Sequence, residues 1–158
     1  MLIFLVKAFV PPPTSDLLIF FEAFILGLSF ALLGMMGATY VEAVNGLLLT
    51  PVKIAFAPFS LLLALLYGLL VDVFSTMFKV KSGGQVRTAR LVASLTLSTV
   101  ITGLVSYYTT VFVARLLPNE PSIALIILVA GSLSGAAGGL LASKVWNKSL
   151  RSRFNGQS

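Results

Sequence analysis

The sequence predicts an all-α membrane protein, a bundle of four transmembrane helices with both termini in the cytoplasm. Hydrophobic residues make up 58% of the 158-residue chain and the mean hydropathy is +1.02, whereas soluble domains use roughly 45–50% apolar residues. Four apolar windows are each long enough to cross a hydrocarbon core, which takes about 20 residues. Eight of the eleven cationic residues fall in two patches, 79–90 and 144–153, beside these windows.

The chain divides into an amino-terminal segment, a bundle and a tail. The amino-terminal part is expected to lie at the membrane interface, because its apolar stretch is short and Pro11-Pro12-Pro13 cannot continue a helix. The tail is basic and polar. The predicted segments are an interfacial segment at 1–16, a bundle at 17–146 with spans at about 17–40, 54–78, 91–114 and 121–143, and a basic cytoplasmic tail at 147–158.

The linker at 41–53 is predicted to be a loop with a turn at Asn45-Gly46. Because Leu47–Leu49 is apolar, a short re-entrant or interfacial segment is the alternative. Cations are retained on the cytoplasmic side of membrane proteins, so both basic patches are expected inside. Alternation then places 41–53 and 115–120 outside, and we expect a multi-pass protein of the cell membrane.

Several function classes are excluded or disfavoured by composition. The chain has no cysteine and no histidine, and its five carboxylates show no metal-ligand spacing. We therefore expect no metal, no cofactor and no enzymatic activity. The net charge of +6 resides in cations that flank apolar spans, so the expected partners are the lipid bilayer and other integral membrane subunits, not nucleic acid.

Small residues recur every four positions in two predicted spans. A spacing of four places them on one helix face, where their lack of bulk lets another backbone approach closely. Such faces pack either within the chain's own bundle or against a separate membrane subunit. The candidate partner-helix residues are Ala23, Gly27 and Ala31 in the first span and Gly131, Gly135 and Gly139 in the fourth.

Two acids lie inside the predicted spans, Glu22 in the first and Asp72 in the second. Topology places both about 8 Å inside the cytoplasmic ends, at a rise of 1.5 Å per residue. Ionisable groups at such depth are costly and often functional. We expect either proton coupling or structural ion pairs with basic residues that reach inward, namely Arg87, Arg90 and Lys144.

A candidate substrate-binding surface lies at the predicted outer end. Topology brings the linker residue Asn45 near Tyr107 and Tyr108, which close the third span. We expect these three residues to contact a solute, and an interfacial aromatic belt is the competing interpretation of the tyrosines. The hydroxyls of that span either bond to carbonyls of the preceding turn or line a polar cavity. They are Ser94, Ser98, Thr102 and Ser106.

The stretch Val52–Phe59 (VKIAFAPF), followed by Leu66–Asp72 (LYGLLVD), resembles the substrate-binding S-components of energy-coupling factor vitamin transporters. Folate- and queuosine-type members are similar in having a hydrophobic strand-like entry, a proline, and a glycine-containing helix ending in Asp. That family also carries a small-xxx-small motif in its first helix, which docks the transmembrane T-component. Ala23, Gly27 and Ala31 occupy the corresponding place. The likeness covers roughly the first half of the chain, and S-components usually have six helices.

The resemblance implies a small integral membrane subunit that binds a vitamin-like solute for uptake. Its partners would then include ATP-binding energising subunits. The alternative is a non-catalytic accessory subunit of a multi-subunit membrane enzyme complex, whose glycine faces would be assembly surfaces. An enzyme acting within the membrane is a third class, against which the absence of His and Cys counts.

Overall fold

A computed structural model describes residues 14–49, 57–82, 84–113 and 119–150, and this part of the chain is 88% helical. A two-stranded antiparallel hairpin interrupts the helices, and the last two helices each continue as a π-helical turn. The elements are α1 (Thr14–Leu33), α2 (Gly37–Leu49), α3 (Ala57–Met77), β1 (Lys81–Ser82), β2 (Gln85–Val86), α4 (Thr88–Tyr108, continued by Thr109–Val113) and α5 (Pro121–Val145, continued by Trp146–Leu150).

Three of these helices are long and apolar enough to cross a membrane. They occupy Phe59–Met77, Thr88–Val113 and Pro121–Leu150, close to the predicted second, third and fourth spans. Lengths of 19 to 30 residues suffice for a hydrocarbon core about 30 Å thick. The membrane-protein class therefore has structural support from three helices. Of the predicted interfacial segment at 1–16, residues 1–13 lie outside the described part and 14–16 begin α1. Of the predicted tail at 147–158, residues 147–150 continue α5 as helix and the rest lie outside the described part.

The prediction of one continuous first span at 17–40 is wrong. Helix α1 ends at Leu33, and the chain reverses through a turn in which Gly34 and Met36 both have a φ of 75°. That left-handed backbone conformation is the usual way to end a helix. Helix α2 then runs back along α1, since Gly37 lies against Ser29 and Asn45 against Glu22.

The predicted loop at 41–53 is helical as far as Leu49, and residues 50–53 lie outside the described part. Asn45-Gly46, which suggests a turn in isolation, lies within α2. The reason is close packing on α3, because a Cβ at position 46 would lie 2.9 Å from Leu61 Cδ1 and 3.1 Å from Ala64 Cβ. At 13 residues, α2 is about 20 Å long, so the re-entrant alternative describes it better than the loop does.

The five helices form a closed ring in which each packs on the next and α5 packs on α1. Successive helices are antiparallel. Helices α1 and α5 are parallel, because Gly138 lies against Ala23 whereas Ala142 lies against Gly27. Thr14 and Leu150 consequently lie at opposite ends of the bundle. The two ends of the described chain therefore do not lie on one side, as was predicted for the termini.

One end of the ring, here called the basic end, carries the hairpin and the last turn of α5. The Val86 N–H donates to Asn147 Oδ1 at 3.2 Å, and Asn147 Nδ2 donates to the Val86 carbonyl at 2.9 Å. The Trp146 indole donates to the Gly84 carbonyl, and Lys81 Nζ lies 5.3 Å from the indole centroid. The described parts of the two basic patches therefore lie together, which agrees with their expected location on one side of the membrane.

The buried apolar cluster of the described residues lies mainly near the basic end, and the opposite end is here called the far end. The buried apolar cluster includes Leu26, Leu91 and Leu95, all fully inaccessible, and extends to Val86 and Trp146 at the hairpin. Between mid-depth and the far end, the buried residues of the described part are Gly46, Tyr107, Val111 and Gly131. The buried apolar cluster of the described residues thus closes the basic half of the ring.

Candidate functional site

Two carboxylates and an amide meet between α1 and α2. The Asn45 side-chain nitrogen donates to Glu22 Oε1 at 3.4 Å and to Glu42 Oε2 at 3.2 Å. Glu42 and Asn45 are three residues apart and therefore share one face of α2. Glu42 is only 2% exposed, and Glu22 and Asn45 are half-buried. We call these three residues the acid–amide cluster.

A hydrogen-bonded pair from α3 and α4 lies next to this cluster. The Tyr67 hydroxyl and Thr99 Oγ1 are 2.8 Å apart, and both residues are buried. Tyr67 is near enough to Glu22 and Glu42 to interact electrostatically with both. Four consecutive helices of the ring therefore contribute polar groups to one region of an otherwise apolar interior.

The acid–amide cluster lies at mid-depth. Glu22 is the ninth of the 20 residues of α1, and Tyr67 is the eleventh of the 21 residues of α3. Thr99 is the twelfth of the 21 residues of α4. Ionisable side chains at the centre of a membrane bundle are expensive and characteristically mark binding sites or ion pathways. The buried apolar cluster lies on one side of the acid–amide cluster, and the far half of the bundle lies on the other.

The expected position of Glu22 at the same end as the basic patches is therefore wrong, because α1 begins at the far end. Asp72 does lie near the basic end of α3, but it forms no ion pair within the described residues. Its Oδ2 accepts from the Thr39 N–H at 2.8 Å and from Thr39 Oγ1 at 2.6 Å, while Oδ1 accepts from the Ala38 N–H at 3.2 Å. A carboxylate suits these amino-terminal N–H groups of α2, which have no partner within their own helix.

Of the three cationic partners expected for the two acids, Arg90 makes other contacts. Arg90 Nη1 donates to the carbonyls of Phe78 and Lys79, at 3.0 and 3.4 Å, at the end of α3. Lys144 lies in the last turn of α5. Arg90 thus satisfies helix carbonyls that have no partner within α3, and the interpretation of Asp72 as a structural residue holds through helix capping instead of ion pairing.

The structure does not bring Tyr107 and Tyr108 to Asn45, whose hydrogen bonds go to the two glutamates. The Tyr107 hydroxyl donates to the Glu120 carbonyl at 3.0 Å and accepts from the Glu120 N–H at 2.9 Å. It thereby holds the residue that precedes α5. Tyr108 is 45% exposed and stacks on Phe112, which fits the aromatic-belt interpretation.

Both sets of small residues pack within the chain. A Cβ on Gly135 would lie 2.7 Å from Thr96 Cα, and one on Gly139 would lie 2.9 Å from Val92 Cα, both on α4. A Cβ on Gly27 would lie 2.9 Å from Ala142 Cβ on α5. The structure therefore favours internal packing, the first of the two alternatives, for these two faces. Ala23 and Ala31 are likewise buried, and Gly131 is buried against α4.

Hydroxyls on α4 are mostly satisfied locally. Ser98 bonds to the Ser94 carbonyl at 2.9 Å, and Ser94 Oγ lies 2.7 Å from Ser75 Oγ on α3. Thr102 differs, because its Oγ1 is buried and has no hydrogen-bond partner within the described residues. It follows Thr99 by three residues on the same helix face, toward the far end. A buried hydroxyl without a partner is uncommon, and this one can accept a further polar contact.

Sequence reasoning identified Glu22 and Asn45, and it placed Thr102 among the hydroxyls of a possible polar wall, but it missed Glu42 and Tyr67 as their companions. The available signal was the i, i+3 spacing of Glu42 and Asn45, which matters only once 41–49 is taken as helical. Tyr67 was a second signal, because a tyrosine in the middle of an apolar span needs a partner for its hydroxyl.

Comparison of the chain with protein-family models, with curated proteins and with solved structures finds no match.

Proposed function

We propose that this chain is a membrane subunit that binds a small amine-bearing solute from the far end of the bundle, for uptake together with energising partner subunits. The acid–amide cluster of Glu22, Glu42 and Asn45 forms the floor of the binding site. The Tyr67–Thr99 pair and Thr102 form one wall. The far end faces outside, because the basic end carries the cations that membrane proteins retain in the cytoplasm.

The observation that carries this proposal is the position of the acid–amide cluster. It lies at mid-depth, on the far-end side of the buried apolar cluster. A purely structural polar cluster would be cheapest near an interface, where water satisfies its unused hydrogen-bonding groups. A site of this form is typical of transporters, whose solutes bind near the bilayer midplane.

The chemistry of the cluster favours a solute that donates hydrogen bonds. Carboxylates accept hydrogen bonds, and the donor groups of Asn45 are directed at the two glutamates, so its Oδ1 is an acceptor as well. A protonated amine supplies several hydrogen-bond donors and a charge opposite to that of a carboxylate, so it suits the chemistry of this cluster. Thr102 Oγ1 would offer a further contact to a solute extending toward the far end.

The energising partners are proposed from the resemblance to S-components, which implies ATP-binding subunits. The accessory-subunit alternative depended on glycine faces acting as assembly surfaces, and those of α1 and α5 are occupied by helices of this chain. The same occupation applies to Gly27 as part of a docking motif. Our preference for the solute-binding function therefore rests on the acid–amide cluster.

Mass spectrometry of the purified protein tests the proposal. Wild-type protein is isolated from its native membrane in mild detergent, and its bound small molecules and co-purifying proteins are both identified. We expect an amine-containing molecule that is present in the wild type, depleted in Glu42→Gln and Asn45→Ala, and retained in Tyr108→Phe. ATP-binding subunits should co-purify with all four proteins.

Two results would contradict the proposal. Equal retention of the molecule by Asn45→Ala and by the Tyr108→Phe control would remove the acid–amide cluster from the site. Redox or oxygenase subunits in place of ATP-binding subunits would favour the accessory function.

A further inference from the structure

A second polar region, independent of the acid–amide cluster, lies at the basic end. It is a cavity of about 450 Å³ between the end of α1, the end of α3 and the β-hairpin. Four cationic side chains line it, and Phe30 and Val80 supply apolar wall. No carboxylate is among its lining residues within the described part of the chain. The cations are Lys79, Lys81, Arg87 and Arg90.

Two of these cations are held in place by the protein. Arg90 is fixed by the carbonyls of Phe78 and Lys79. Lys81 Nζ donates to the Ala31 carbonyl at 3.0 Å and lies over the ring of Trp146. Arg87 is exposed, and within the described residues its guanidinium has no hydrogen bond or ion pair. Thr76 and Ser82 add hydroxyl donors to the same lining.

The backbone at Lys79 gives an independent reason to assign a role to this cavity. Lys79 has a φ of 49° and ends α3, with its N–H bonded to the Thr76 carbonyl and the Val80 N–H bonded to the Ser75 carbonyl. This is the Schellman arrangement, whose left-handed position is normally filled by glycine. Lysine is less favourable than glycine in that conformation. A cation therefore stands at the cavity wall where the backbone alone would favour glycine.

We propose that this cavity binds a phosphate group, carried either by the headgroup of an anionic lipid or by a free phosphate compound. Guanidinium and ammonium groups with neighbouring hydroxyls are the donors that phosphate oxygens prefer. Basic pockets between helices at the cytoplasmic side characteristically bind anionic lipid headgroups. The apolar wall at Phe30 adjoins the helix ends, where the glycerol and acyl portions of a lipid would continue into the bilayer.

Native mass spectrometry of the full chain in detergent tests this site. The probes are phosphatidylglycerol and phosphatidylcholine with identical acyl chains, and inorganic phosphate is titrated separately while the thermal unfolding midpoint is followed. The variants are Lys79→Gly, which suits the left-handed backbone and is expected to fold, and Arg87→Ala. Lys148→Ala is the control, because it removes one positive charge from the same end but does not line this cavity.

For the lipid-headgroup source, we expect phosphatidylglycerol to bind more tightly than phosphatidylcholine. Each of Lys79→Gly and Arg87→Ala should weaken it about five-fold, the value that corresponds to one cation near an anionic headgroup. Lys148→Ala should leave phosphatidylglycerol binding unchanged.

If the ligand is a free phosphate compound, inorganic phosphate should raise the unfolding midpoint of the wild type, and this rise should be lost in both cavity variants. Equal weakening of phosphatidylglycerol binding by Lys148→Ala would overturn the proposal, as would an absence of both responses in the wild type.

Discussion

Asp72 Oδ2 lies 2.6 Å from Thr39 Oγ1 and 2.8 Å from the Thr39 N–H, which joins the basic end of α3 to the first turn of α2 across 33 residues of chain. A carboxylate in this position compensates the partial positive charge of a helix amino terminus. It also sets where α2 begins and how it is rotated. Asn45, two turns further along, consequently faces Glu22 on α1.

Removing the Asp72 carboxylate should destabilise the bundle. Asp72→Ala leaves buried N–H groups of α2 without partners, a loss of about 1–3 kcal/mol in the free energy of unfolding. Thr39→Val, which removes only the hydroxyl donor, should cost about 1 kcal/mol or less. The check is thermal unfolding in detergent followed by fluorescence, for which Trp146, the single tryptophan, is a reporter. Identical unfolding midpoints for wild type and Asp72→Ala would show that this contact does not position α2.

Two glycines on the same face of α5 should respond oppositely to alanine. A Cβ on Gly135 would lie 2.7 Å from Thr96 Cα, so Gly135→Ala must displace α4 and should cost roughly 1–3 kcal/mol. The nearest atom to a Cβ on Gly131 is 3.6 Å away. Gly131→Ala should therefore be neutral, or stabilising by up to about 1 kcal/mol through higher helix propensity. Chemical denaturation of the two variants in the same detergent distinguishes them, and an equal response would argue against the close α4–α5 contact.

The adjacent tyrosines should differ in stability. Tyr107→Phe removes both hydrogen bonds to the backbone of Glu120 and should cost about 1 kcal/mol or more, because an N–H and a carbonyl lose their partner. Tyr108→Phe should change the free energy of unfolding little, since no hydrogen bond of that hydroxyl occurs within the described residues. Neither substitution should alter solute binding. A loss of solute binding in either variant, at unchanged stability, would restore the tyrosines to the binding site.

Hydropathy and length were sufficient to predict three helices that are long and apolar enough to cross a membrane. Their windows are bounded by the charges of Lys79 and Arg90 and by Pro121. They were insufficient at the first span, whose apolar character is uniform across the reversal at Gly34 and Met36. The left-handed φ of Met36 has no compositional signal. Because a single span without this reversal was predicted, α1 was given the opposite direction and Glu22 was placed at the wrong depth.

The candidate site was predictable in part for the same reason. Asn45 was assigned to the site from the expected position of the 41–53 linker, but its partners depend on the direction of α2. The remote cap by Asp72 connects residues 33 positions apart, and no local pattern indicates such a contact. The tyrosines were assigned to the site by topology alone, and the structure assigns Tyr107 to the start of α5.

The most direct test of the central claim is the labelling of a single cysteine at position 45 in intact cells, which is clean because the natural chain has no cysteine. Asn45→Cys is treated from outside with a cationic trimethylammonium-ethyl thiosulfonate and, separately, with the anionic sulfonatoethyl reagent. Ser98→Cys, buried toward the basic half, is the control. We predict that position 45 reacts and that position 98 does not. We also predict that the cationic reagent reacts faster than the anionic one at position 45, by a larger rate ratio than on a free thiol in solution, because two carboxylates adjoin the site. Lack of reaction at position 45 from outside, or a preference for the anionic reagent, would contradict an outward-facing site that selects amines.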